Sequence, residues 1–204
     1  MTTEEAIHTD HYRTLRTEGS GLYKEKGSKF YSYSFPASSV NDALQCLDDV
    51  KAKHHDAGHH CFAYRINPEK PEFRANDDGE PSNSAGMPIY NQLQSQDLWN
   101  CIVIVVRYFG GTKLGVGGLI NAYKEAAALA LANSHSVTRY LIHRLELRFP
   151  YPQMNEVMRL LKSFDVNIIE EKMEQDAGYL IGIRKNNFST FKEQLKNIHQ
   201  VEIA

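Results

Sequence analysis

The sequence predicts a two-domain α+β protein, with residues 1–136 as the first domain and 137–204 as the second. Three observations carry this. The apolar, β-branched run Cys101–Val106 leads through a glycine-crowded loop into the Ala- and Leu-rich segment Leu119–Ala132, giving strand, loop and helix. The last third reads strand, helix, strand, strand, helix, strand, the ferredoxin-like order. Between them the polar stretch NSHSVT, Asn133–Thr138, interrupts the apolar periodicity.

Thr14–Gly19 and Gly21–Lys29 carry turn signals around a small polar hairpin, and Lys29–Phe35, KFYSYSF, alternates as a half-buried strand does. Ser38 or Ser39 can cap a helix over Val40–Lys53, which gathers Val40, Ala43, Leu44, Leu47 and Val50 on one face. Cys61–Ile66 reads as a strand, Asn67–Pro71 as a turn, and Glu72–Ala75 as its hairpin partner. Asp77–Pro88 is loop, Met87–Gln94 begins a short helix, and Leu98–Arg107 is the buried strand. Beyond the boundary come strands Tyr140–Phe149, Asn167–Glu174, Gly178–Lys185 and Val201–Ala204, with helices Pro152–Phe164 and Asn187–Asn197. Leu145, Leu147 and Phe149 alternate with charges, and Val157, Leu160, Leu161 and Phe164 fall at helical spacing, as a sheet carrying helices requires.

With 204 residues the chain is long enough for two domains with cores of their own. An apolar fraction of 42% and a charged fraction of 24% are ordinary for a globular protein. No run reaches transmembrane length, and the polar, acidic start MTTEEAIHTDHY predicts no secretory signal. Cys46, Cys61 and Cys101 are odd in number and widely spaced, which suits a reducing cytoplasm rather than a disulfide framework. Net charge is −2, so any nucleic-acid surface has to be a local patch.

Three features are candidates for chemistry. In the first, Gly110, Gly111, Gly115, Gly117 and Gly118 fall within nine residues, between a strand and a helix. Glycines permit close backbone approach, and a helix start offers free N–H donors. The loop is therefore a candidate anion or nucleic-acid cradle, with Arg107 and Lys113 supplying charge and Tyr108 and Phe109 supplying stacking surface. It is neither a Walker A motif nor a dinucleotide fingerprint. The bland alternative is a tight crossover with Lys113 merely solvated.

The second feature is the acidic turn Asp77-Asp78-Gly79-Glu80-Pro81, which lacks the frame of a calcium loop and reads as turn chemistry. A composite site, with Glu80 beside Arg107 or Lys113 and with His59, His60, Asp77 and Asp78 nearby, is the functional alternative. The third is the cluster His54, His55, His59, His60 and Cys61. On a strand His59 and Cys61 face one way and His60 the other, so the donors do not converge and no metal is expected. Adjacent Cys61 and His60 diverge for the same reason, and no G-x-S-x-G elbow surrounds Ser82 or Ser84. No nucleophile emerges, and no cofactor is expected.

RYFGGTKLGVGGLINAY from Arg107, NDDGEPSNSAGMP from Asn76 and DAGHHCFAY from Asp56 together resemble the signature blocks of the IMPACT/YigZ family, in the family's order. The resemblance implies a first domain similar to the second domain of ribosomal small-subunit protein five, a fold shared with GHMP-type kinases. It implies a second domain like domain V of elongation factor G. Eukaryotic relatives act in translational control through an additional N-terminal domain, which is not expected here. The expected function is that of a non-enzymatic cytoplasmic protein binding RNA, the ribosome or a translation-associated protein, with no membrane association. The alternatives are an enzyme that binds a nucleotide or phosphate ligand through residues 110–118, and a protein–protein adaptor.

Overall fold

A computed structural model describes residues 10–203, so the N-terminal leader reading and Ala204 of the expected last strand lie outside it. The described chain forms two compact units, Tyr12–Arg139, and Tyr140 onward together with Asp10 and His11. In chain order the first two-thirds comprise β1 (His11–Leu15), β2 (Gly19–Glu25), β3 (Ser28–Pro36), α1 (Val40–Lys53), β4 (His59–Ile66), β5 (Glu72–Asn76), α2 (Gly86–Ser95), β6 (Cys101–Tyr108), α3 (Gly115–Ala132) and β7 (Ser136–Tyr140).

The main sheet is antiparallel, ordered β2-β3-β6-β4-β5, with β6 at its centre. Successive strand residues face opposite ways. Cys101, Val103 and Val105 join Cys61 and Ala63 in one core with Ile89 and Leu93 of α2 and Leu119, Ala122, Tyr123 and Ala126 of α3. Ile102, Ile104 and Val106 join Phe62, Tyr64 and Ile66 in a second core under Ala43, Leu47 and Val50 of α1. Covering on both faces makes β6 an unbroken apolar run. Ser39 is the residue that caps α1: its hydroxyl accepts from the Asp42 amide at 3.1 Å, while Asp42 accepts from the Ser39 amide at 3.1 Å.

Residues 14–29 hold more than the expected small polar hairpin. β2 is an edge strand of the main sheet, joined to β3 through Lys26 and Gly27, both at positive φ (45° and 82°), as a two-residue hairpin turn demands. Its glycines hide its strand character. A Cβ at Gly19 would run into the Ala130 carbonyl oxygen, because α3 lies directly on the strand. The polar stretch after α3 also forms structure, since β7 pairs with β1.

The second unit comprises β8 (Ile142–Phe149), α4 (Met154–Ser163), β9 (Asn167–Met173), β10 (Ala177–Arg184), α5 (Lys185–Leu195) and β11 (Glu202–Ile203). Its antiparallel order β11-β8-β10-β9 is that of a ferredoxin-like sheet. Leu147, Phe149, Ile181 and Ile183 bury against Val157, Leu161, Phe191 and Leu195. Among the described residues no helix is long and apolar enough to cross a membrane.

Candidate functional site

The glycine loop runs from the end of the central strand β6 into α3. Gly111 and Gly115 sit at φ 86° and 71°, in the left-handed region that favours glycine. Gly110 is required by contact: its Cα lies against the Gly27 backbone of the β2–β3 turn, and its amide donates to Ser28 Oγ at 3.2 Å. Gly117 has no such constraint. A Cβ there, as at Gly111 and Gly115, would meet nothing within 4 Å. No side chain caps the start of α3. Among the described residues, no acceptor from the loop or the sheet meets the amides of residues 111–117. Lys113 is exposed and Phe109 is 60% exposed.

Below the loop the three sequence blocks meet at Glu80. Its Oε1 accepts from Arg107 Nη1 at 2.7 Å and from the Tyr123 hydroxyl at 2.8 Å, with His59 Nε2 at 3.9 Å. Strand register places His59 opposite Arg107 on neighbouring strands. Arg107 continues the inward series Cys101, Val103, Val105, so it points into the core beneath α3. It is 6% exposed, and its guanidinium lies 5.6 Å from the Phe30 ring and 5.5 Å from the Phe109 ring. The expectation that Arg107 offers a free cation to an anion is therefore corrected. Its charge is committed to Glu80 in a buried pair, and its Nε has no partner among the described residues. Lys113 is the loop's exposed cation.

The remaining acidic residues are spent on the turn. Asp77 accepts from the amides of Asn83, Ala85 and Gly86 at 2.8–2.9 Å, holding the start of α2. Asp78 and Gly79 take positive φ, and Asp78 Oδ2 accepts from the His60 amide at 2.6 Å. His59 Nδ1 donates to the Asp78 carbonyl oxygen at 2.8 Å. Of the expected composite set, Glu80 and His59 meet at Arg107, while Asp77 and Asp78 hold the turn; the His60 ring bonds the His54 carbonyl oxygen at 3.0 Å, with its Nδ1 3.8 Å from Asp78 Oδ2.

His54, at the C-terminal end of α1, is a buried ring rather than a surface ligand. The Tyr33 hydroxyl lies 2.7 Å from its Nε2 and the Tyr108 oxygen 3.0 Å from its Nδ1, while the Tyr108 hydroxyl donates to Asp56 at 2.8 Å. Burial, then the charges of Lys53 and His60, hold its pKa below the ordinary histidine value. The bond to Asp56 pushes the Tyr108 phenol up to about 12.

Cys61 is fully buried, with Sγ 3.1 Å from the Asp77 carbonyl oxygen and 3.3 Å from the Tyr123 hydroxyl. Burial raises both the thiol and the Tyr123 phenol far above their ordinary values. Tyr123 was missed in the sequence because its helical position reads simply as core. The second feature missed is the polarity of β3. Its buried positions carry Ser28, Phe30, Ser32 and Ser34, while Tyr31, Tyr33 and Phe35 occupy the half-exposed face. KFYSYSF holds that signal, since from Tyr31 to Phe35 serine alternates with the rings.

Residues 26–131 match the Impact N-terminal domain family. The IMPACT family member YvyE of Bacillus subtilis (strain 168) is 28% identical over 187 residues, covering 92% of this chain and 86% of that protein. The IMPACT family member YigZ of Escherichia coli (strain K12) is 32% identical over 146 residues, covering 71% of this chain and 72% of that protein. A crystal structure described as that of a hypothetical protein superposes with a TM-score of 0.70 at 25% identity, over 96% of this chain and 97% of that one.

Proposed function

We propose that this chain, which belongs to the IMPACT family, is a non-enzymatic binding protein of the translation apparatus whose partner is RNA, free or carried by the ribosome or a translation factor. The observation behind this reading is the loop at residues 110–118. Amides without a loop or sheet acceptor, glycine faces opening on empty space and the exposed Lys113 leave room and donors for a phosphate backbone. Catalysis has little support in the same region. The Cys61 thiol is buried and held in its neutral form, Ser84 donates to the Pro81 carbonyl oxygen at 2.6 Å, and Glu80 is engaged in its ion pair with Arg107.

The test is a titration of the full chain with a labelled RNA hairpin at several salt concentrations. Saturable binding that weakens linearly on a log–log salt plot supports the reading. Lys113→Ala should reduce that slope by about 0.7–0.9, the contribution of one phosphate contact. An unchanged slope would remove Lys113 from the interface, and no binding at low salt would end the RNA reading.

A further inference from the structure

We propose that the part of the main sheet beside α1, built on β3 and the β2–β3 hairpin, is a stacking platform for single-stranded RNA. The proposal rests on the RNA reading above and deepens it by naming the form of RNA and the surface that takes it. α1 covers β6 and β4 and reaches β3, whose Tyr31, Tyr33 and Phe35 pack against the same core and stay half exposed. A groove of about 620 Å³ is lined by Lys29, Tyr31, Tyr33, Lys53, Tyr108 and Phe109, and a second of about 540 Å³ continues it past Tyr33 and Lys53 to Phe35.

β3 turns its serines to the side where α3 lies close, Ser34 Oγ donating to the Ala130 carbonyl oxygen at 3.2 Å, and its rings to the α1 side, where they pack against that core but stay half exposed. The uncovered part of Tyr31, Tyr33 and Phe35 forms one continuous aromatic strip along the strand. The rings are also held in place. Tyr31 stands edge-on to Tyr108 at 5.8 Å, Tyr33 lies parallel to Phe35 at 6.3 Å, and the Tyr33 and Tyr108 oxygens are both tied to His54. Preorganised rings lose little entropy when bases stack on them.

Charge identifies the occupant. Lys24 and Lys29 are direct cross-strand partners, both exposed, and among the described residues neither pairs with a carboxylate. Like charges placed opposite each other destabilise a hairpin. A phosphate backbone passing over them removes that repulsion. Lys53 adds a third cation, 5.1 Å above the Tyr33 ring. Glu18, Asp49 and Asp56 border the same grooves, which leaves the Lys24–Lys29 end as the anion-accepting one. A duplex hides its base faces, so an aromatic floor of this kind suits an unpaired strand.

The experiment compares the full chain's affinity for a labelled oligouridine of about 12 nucleotides, within the site size of such platforms, with that for a blunt RNA duplex of equal length. The single strand should bind at least about tenfold more tightly, and Tyr31→Ala with Phe35→Ala should cost it about tenfold or more. Lys24→Ala with Lys29→Ala changes only exposed side chains, and it should lower the salt slope by about 1.4, or 0.7 per phosphate contact on a single strand. Equal binding of both RNAs, unaffected by either double variant, overturns the platform and leaves the RNA reading standing. Failure to bind either RNA at low salt overturns both.

Discussion

Arg107 and Glu80 form a buried ion pair at 2.7 Å, and the same carboxylate oxygen takes the Tyr123 hydroxyl at 2.8 Å. One acceptor thereby joins the central strand, the acidic turn and α3. Removing two charges from water is costly, and such a pair persists only with good geometry and added hydrogen bonds. The face of the Phe30 ring and the Tyr123 hydroxyl supply that surround.

Breaking the pair on one side should be severe. Glu80→Ala leaves a buried guanidinium without its partner and should cost about 3–5 kcal/mol in urea unfolding. Glu80→Ala combined with Arg107→Met should recover part of that loss, as measured by a double-mutant cycle. Additive effects of the two substitutions would contradict the coupling.

Asp77 holds three amides at the mouth of α2. Asp77→Ala should cost about 2 kcal/mol, since hydrogen bonds to charged acceptors are among the stronger ones. Hydrogen exchange at the Ala85 and Gly86 amides should accelerate selectively. Unchanged exchange at those two sites would show that another group caps the helix.

His54 predicts a pH dependence of fixed sign. Its pKa is depressed in the folded protein, so the unfolded chain binds the proton more readily. Stability from this group is complete above the ordinary histidine value of about 6.5, and it declines as pH falls from there toward the lower folded value. His54→Gln should flatten that part of a stability-against-pH curve. An unchanged slope would place the titration elsewhere.

The glycines should separate into two groups by thermal unfolding. Gly19→Ala drives a methyl into the Ala130 carbonyl and should destabilise strongly. Gly117→Ala meets empty space in the first turn of α3 and should be neutral or stabilising by up to about 1 kcal/mol. The same Gly117 variant should weaken RNA binding, because its methyl occupies the space left open at the loop.

Much of this architecture is legible locally. The β6 run, the α3 composition and the alternation of Leu145, Leu147 and Phe149 each reflect burial imposed by a regular element, so run, composition and period within a single segment reveal them. β2 escapes the same reading because Gly19 and Gly21 answer to the close approach of α3, a demand from residues more than a hundred positions away. The site divides along the same line. Strand alternation correctly separates His60 from His59 and Cys61. The pairing of Glu80 with Arg107 is one of the two partners the composite-site alternative offers, whereas the commitment of His54 to Tyr33 and Tyr108 depends on contacts between distant segments, which no local pattern contains.

The most direct test of the account is a two-dimensional amide NMR titration of the full chain with the oligouridine at low salt. It predicts progressive shifts concentrated in Gly111–Gly118, in Lys24 and Lys29, and along Tyr31–Phe35, with the buried Cys101–Val105 amides unmoved. Shifts absent from these segments at saturating RNA, or confined to residues 140–203, would contradict it.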